Sequence, residues 1–358
     1  MLAAEKLGGV LISSQHNFSW LTAGSRSGID LSREPGAGAL LVRRDGKRFL
    51  LASRIEMARL LTEELSDKDF EPIEFGWEEE KVRASFLVDR ARSLLIDNES
   101  LGSDLPVPTG VRTVEGSLAH CRYVLTSSEM DRFRQLGQDA GRAISDLIKS
   151  LQPGETETQI ARHAADALAA KNIHVVVNLV AADERIKKYR HPVPTEKRWE
   201  RVLMVVVCAR RNGLIVSLTR IVSAGKLSDD LKHRTAAAAR VNAQLLSSTR
   251  PGTTGAELYA VATRAYEAEG FQGEEHLHHQ GGATGYRTRD WVAHPACEEQ
   301  VHLHQAFAWN PSITGTKVEE TAIVVETGTQ TITSTADWPQ ISVRAGAQDI
   351  QSPNVLII

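Results

Sequence analysis

The sequence predicts an α+β protein in two domains, a small α/β domain and then a larger one in which helices cover one face of a curved antiparallel sheet. Size is the first reason: 358 residues, 42% hydrophobic and 24% charged, bury two cores rather than one. The second is the first third of the chain, where short apolar runs alternate with stretches of helical spacing. The third is the later order of helix pair, hairpin, helix pair and strands, which segregates helices from sheet.

Taken in order, GGVLI (8–12) reads as a strand. GALLVRRDGKRFLLA (38–52) reads as a hairpin, because Asp45-Gly46 punctuates two apolar runs. EEEKVRASFLVDRARSLL (78–95) has helical spacing, LLIDN (94–98) is a short strand, and a proline-bearing stretch runs from Leu105 to Pro108. A boundary near Ser127-Ser128 divides residues 1–127 from 128–358, with Ser128 capping a long amphipathic helix from Glu129 to Leu151. Pro153-Gly154 stops that helix and Thr156 opens another, TETQIARHAADALAAK. VLMVVVCA and NGLIVSLTRIV form two strands turning at Asn212-Gly213. Helices follow over 228–247 and 254–270, and the remainder is strand-rich.

Composition narrows the function. A net charge of -3 provides no clustered cationic field for nucleic acid or anionic membrane, which leaves a small molecule as the expected partner. Cys121, Cys208 and Cys297 have neither the number nor the spacing of a disulfide framework or a thiolate zinc site. No apolar run approaches the roughly 20 residues of a membrane helix. The opening MLAAEKLGGVLI lacks the features of a signal peptide, so a soluble cytoplasmic protein is expected.

Five short motifs carry more information: His191-Pro192-Val193-Pro194, LIVSLTR (214–220), GGATGYRTRD (281–290), FAWNP (307–311) and VEET (318–321). In this order and at these spacings they resemble the anchors of the pita-bread superfamily, the creatinase and methionine/proline aminopeptidase group. The stretch from about Ser128 to Val343 resembles its catalytic domain, and Gly8 to about Leu125 its creatinase-type N-terminal domain. In the superfamily's metallopeptidases two Asp, one His and two Glu bind two divalent ions that activate a water. On this chain the resemblance places those ligands at Val206, Ser217, Gly282, Asn310 and Glu319, so only Glu319 survives. Valine and glycine offer no donor, and neutral Ser217 and Asn310 lack the charge to hold two dications. The expectation is therefore no metal and no other cofactor. Creatinase is the precedent for a metal-free member that breaks a C–N bond with a His and carboxylates.

The resemblance marks His191 as the general acid/base, a role that suits imidazole near neutral pH, with Arg190 or Tyr189 as alternatives for the same spot. Glu319 is expected to hold a substrate amine or guanidinium, or to pair with Arg220, and Glu320 to face the other way. Arg289 and Asp290 occupy the family's His-Glu positions, and Arg289, Arg287 or Arg220 is expected to fork a substrate carboxylate. Read as a strand, EEHLHHQGG puts His276 and His278 on one face and His279 on the other. His278, His279 and Gln280 are candidates for substrate contact, with Gly281 and Gly282 permitting close backbone approach. Tyr286, Trp309, Asn310 and Ser217 complete the substrate-binding set, while Cys208 reads as a small buried hydrophobe.

These residues predict a metal-independent acid–base enzyme acting at a C–N centre of a small amino-acid-like or guanidino compound, creatinase-like in its hydrolysis. Thr219 stands where creatinase carries a Glu, so the creatinase substrate does not transfer. One alternative is a biosynthetic enzyme joining an amine to a carbonyl by imine condensation with Pictet–Spengler-type cyclisation. Another is a non-catalytic small-molecule-binding protein. The resemblance also implies a homodimer.

Overall fold

The computed structural model describes the whole chain except residues 97–98, 108–109 and 347. The chain separates into two compact units, Met1–Arg122 and Tyr123–Ile358. The division falls just before the 127/128 boundary read from sequence, because Leu125 is buried and its N–H bonds to His304 O at 3.1 Å, inside the second unit.

The first unit is built on a mixed six-stranded sheet. Its strands are β1 (Gly9–Ser14), β2 (Pro35–Arg43), β3 (Arg48–Ser53), β4 (Glu71–Phe75), β5 (Leu101–Ser103) and β6 (Arg112–Thr113), in the order β4-β3-β2-β1-β5-β6. Alternation along the strands feeds two cores. Val10, Ile12, Leu40 and Leu50 pack with Phe18 and Leu60 on one face. Leu11, Leu41, Phe49 and Leu51 pack with Phe86 and Val88 on the other. The β2–β3 hairpin turns at Asp45-Gly46, with Gly46 at φ +91°. Two readings are corrected here. The span 78–95 is two helices, Trp77–Val82 and Phe86–Arg92, because Arg83 adopts extended backbone (φ -137°, ψ 125°). Leu94–Ile96 form turns rather than the strand read at 94–98, whose last two residues lie outside the described ones. The strand is Leu101–Ser103.

In the second unit, helix Ser127–Ser150 starts two residues earlier than expected. Thr126, not Ser128, is the cap, accepting from Glu129 N while Glu129 reaches back to the Thr126 N–H at 2.8 Å. Helices Glu157–Ala169 and Gly255–Ala268 use the same box at Thr156 and Thr254, and Asp229–Ser248 is capped by Ser228. The strands are β7 (His174–Ala182), β8 (Val202–Arg211), β9 (Leu214–Ser223), β10 (Gly281–Thr284), β11 (Trp291–Val292), β12 (Ala306–Trp309), β13 (Ser312–Ile313), β14 (Thr316–Lys317), β15 (Glu320–Val325), β16 (Gly328–Thr331), β17 (Gln340–Ala345), β18 (Gln348–Pro353) and β19 (Leu356–Ile357). They form a four-stranded sheet, β19-β9-β8-β7, a five-stranded sheet, β11-β10-β12-β15-β16, and two ribbons, β13-β14 and β17-β18. Asn212 and Gly213 both have positive φ (+48° and +79°), the two-residue turn that suits the right-handed twist of β8 and β9.

The two sheets are joined where β9 meets β15. Thr321 Oγ1 accepts from Ser217 N at 2.8 Å and donates to Ser217 O at 2.9 Å, and Thr219 N donates to Glu319 O at 3.1 Å. This seam carries the residues of interest. Among the described residues, no helix is long and apolar enough to cross a membrane.

Candidate functional site

Strand β9 is buried on both faces, so its alternation sorts the motif SLTR into two environments. Ser217 and Thr219 point one way. Thr219 Oγ1 donates to Glu319 Oε2 at 2.7 Å, and Ser217 Oγ lies 3.3 Å from Cys208 Sγ and 3.4 Å from Arg289 Nη1. Arg220 points the other way and is removed from the candidate set. Its guanidinium is fully buried, pairs with Glu320 at 2.9 Å, donates to Thr333 O at 2.9 Å and lies 5.5 Å from the Trp338 ring centroid. The ion-pair partner of Glu319 is Arg289, at 3.6 Å. The cation that Glu319 was expected to draw from a substrate is thus supplied within the protein.

His191 stands at an exposed edge, its Nε2 3.0 Å from His278 Nε2. The His278 and His279 rings stack with centroids 4.4 Å apart. The expected period-2 arrangement fails because Glu274–His276 is a 3₁₀ turn and residues 277–279 form no strand, which sends His276 to the surface and brings His278 and His279 to His191. The segments are tied together by Arg190, which ion-pairs with Glu274 and donates to Thr314 Oγ1 at 2.9 Å, while Thr314 N donates to Glu274 at 3.0 Å. Arg190 is therefore a positioning residue, its charge already engaged.

Three other expected contacts are structural. Gln280 Oε1 accepts from Tyr266 OH at 2.8 Å and its amide donates to His278 O at 2.6 Å, fixing the turn that carries the histidines. Tyr286 OH donates to Glu129 at 2.7 Å, and burial beside that carboxylate pushes the phenol upward in pKa. Trp309 stacks on Phe307 and donates to Thr249 Oγ1 at 3.0 Å, in the core. Asn310 is buried with Oδ1 unpartnered.

Lys317 was missed by the sequence reading. It lies two residues before Glu319, pairs across the ribbon with Ser312, and is only 5% exposed. Its amine makes no hydrogen bond or ion pair with the described residues, although its charge acts on His191, His278, His279 and Glu319. The signal available was T-K-V-E, which places Lys and Glu at the spacing of one face of an extended segment.

Burial sets the protonation of this cluster. It pulls Lys317 down from its ordinary range, opposed by Glu319. Burial and then Lys317 drive His278 to about 2, lower His191, and, with Arg289, lower His279, whose edge is exposed. Each of these shifts favours the neutral ring. Donation from His278 Nε2 to His191 leaves the buried, unpartnered His278 Nδ1 as a bare lone pair, which costs less than an orphaned N–H. A lowered histidine pKa stabilises the fold above the unfolded value of 6.5 and loses that contribution as pH falls toward the folded value. Melting temperature should therefore drop between pH 6.5 and 4, and His278→Gln should flatten the slope; equal slopes in both proteins would exclude this origin.

The family's dinuclear metal centre does not fit these residues. Val206 lies in an apolar cluster with Met204 and Ile221. A Cβ on Gly282 would meet Trp291 O at 2.1 Å, so the position has no room for an imidazole. Ser217 and Asn310 are neutral, and Arg289 sits on the one carboxylate left. The three histidines are a different set. Their ligand atoms lie within 4.8 Å of one another, a donor type that suits a late transition metal, though Arg289 and Lys317 put positive charge beside the place where a dication would bind.

Known proteins share this architecture. The prolidase of Pyrococcus horikoshii OT3 superposes with a TM-score of 0.77 at 17% identity, over 93% of this chain and 96% of that one. The X-Pro aminopeptidase of Thermotoga maritima MSB8 gives 0.76 at 17%, over 100% and 97%. At such identities the likeness is one of fold. In sequence, the Xaa-Pro dipeptidase of Pyrococcus furiosus is 20% identical over 234 residues, 63% of this chain and 67% of its own. The pattern of metallopeptidase family M24 matches residues 131–335, more than half of the chain and the whole of the seam described above. The chain belongs to metallopeptidase family M24, and its matched region holds the cluster of three histidines, Lys317 and Glu319 described above.

Proposed function

We propose that this protein is an acid–base enzyme that works without a metal centre at a C–N bond of a small amino-acid-like compound, hydrolysing it. The observation that carries the reading is the His191–His278 contact of 3.0 Å at an exposed edge, next to a buried Glu319–Arg289 pair. With His278 donating to its Nε2, neutral His191 carries its proton on Nδ1, which it can give to a leaving nitrogen and recover from water, while its buried neighbour holds the ring. Arg289 retains a buried, unpartnered Nε–H, a donor for a substrate carboxylate. The dipeptidase names of the sequence relatives support hydrolysis at a C–N bond. The replaced ligand positions support the departure from metal-bound hydroxide.

The test pairs metal analysis with turnover. Purified protein should carry no stoichiometric Zn, Mn, Co or Fe, and Xaa-Pro peptides should remain uncleaved with or without added Mn or Co. Screening N-carbamoyl, amidino and N-acyl amino acids by mass spectrometry should reveal turnover indifferent to EDTA. About two metals per chain, a metal held by the three histidines, or metal-stimulated peptidase turnover would overturn the reading.

A further inference from the structure

Among the buried charged groups of the second unit, Lys317 differs from the rest. Glu157 is fully buried but accepts from Ala182 N, Arg185 and Thr195, and Arg220 and Glu320 neutralise each other as an ion pair at 2.9 Å. Lys317 is buried too, at 5% exposed, yet among the described residues no carboxylate lies within ion-pair distance of its amine and no acceptor bonds to it. A buried amine left without a counter-ion is costly to the fold, and such a group persists where it has chemical work to do. Its charge is felt at the imidazoles of His191, His278 and His279, and it feels that of Glu319, two residues on, and of Arg289, which has a spare donor.

We propose that Lys317 is a covalent catalytic residue of this centre, its amine forming an imine with an aldehyde or 2-oxo acid. This rests on the reading of the cluster as the active site, and extends it to a carbonyl compound bearing a carboxylate. The Nζ lone pair attacks the carbonyl carbon, and the carbonyl electron pair moves to oxygen, which takes a proton by way of the His191–His278 pair. The nitrogen gives up the first of its two protons to balance that transfer, and the second passes by the same route to the carbinolamine hydroxyl, which leaves as water. One C=N bond replaces one C=O bond, one water leaves, and nothing is oxidised or reduced. The unpaired Arg289 Nε–H holds the acid's carboxylate. An imine so formed gives access to the cleavage or formation of a C–N bond at the same carbon, since a second amine exchanges with the lysine.

Reductive trapping tests this. The full-length protein is incubated with glyoxylate, and separately with pyruvate, in the presence of sodium cyanoborohydride, then weighed intact and mapped by peptide mass. The expected result is one dominant adduct per chain on the peptide holding Lys317, lost in Lys317→Met. Lys317→Arg, which keeps the charge but cannot form a stable imine, should lose it too. The wild-type map is decisive even if a variant folds poorly. Labelling confined to exposed lysines such as Lys81 and Lys232, or unchanged in Lys317→Met, overturns the proposal. Absence of the adduct while His191→Ala still abolishes turnover removes the imine and leaves the acid–base reading standing; an adduct on Lys317 with His191→Ala at full rate supports the imine and removes His191.

Discussion

Replacing His191 with alanine should lower turnover by roughly two to four orders of magnitude, the range for losing a general acid or base, with ligand affinity nearly unchanged. The split between rate and affinity follows from placement. His191 lies at the exposed edge and touches His278, whereas the charged groups that would hold a ligand, Arg289 and Lys317, are separate side chains. Added imidazole should restore part of the lost rate, because a small base can enter the vacated space. A purely structural histidine would show no such rescue. The pH profile gives a second reading: burial lowers the His191 pKa, so activity requiring the neutral ring should persist below pH 6.5 before it falls. Comparable rates for wild type and His191→Ala on the identified substrate would move the chemistry to His279 and Lys317.

The second large effect is on stability. Arg220 and Glu320 form an ion pair with both side chains essentially inaccessible, and Glu320 also accepts from Thr333 Oγ1. Burial raises the Glu320 pKa, opposed first by Arg220. Removing one partner strands the other charge in the interior, so Glu320→Ala should destabilise by about 3 to 5 kcal/mol. For a unit of this size that corresponds to a fall in melting temperature on the order of 6 to 20 °C. The double replacement Arg220→Met with Glu320→Leu should recover most of the loss, since no charge is then left unpaired. A Glu320→Ala protein melting within about 2 °C of wild type would show that water reaches the pair.

The contrast between Glu319 and Glu320 shows what each level of description decided. Strand alternation alone placed adjacent glutamates on opposite faces, and it is enough to separate a site residue from a buried structural one. It could not choose their partners. Arg220 is one turn of the β9 alternation away from Thr219, and only the pairing of β9 with the Glu319–Val325 segment reveals that Arg220 meets Glu320 while Glu319 meets Thr219 and Arg289.

Local rules also explain which elements were legible. Thr126–Glu129, Thr156–Gln159 and Thr254–Glu257 carry their capping boxes in four residues, and Asn212-Gly213 carries its turn in two. Such signals act within one turn of chain, so sequence determines them. The 78–95 stretch misled because helical spacing continues across Arg83, where the backbone is extended.

By itself, then, the sequence determined the α+β class, the capping boxes that open its helices and the β8–β9 hairpin, all of which depend on residue type, period or order. Tertiary structure alone decided the centre. The contacts His191–His278, Arg289–Glu319 and Arg190–Glu274 each join segments far apart in the chain. No periodicity encodes such a distance, since it is fixed by how the turn at 274–276, the loop at 189–195 and the β9–β15 seam pack together. The same holds for Lys317, whose spacing from Glu319 is written in the chain but whose burial without a counter-ion exists only once those segments close around it.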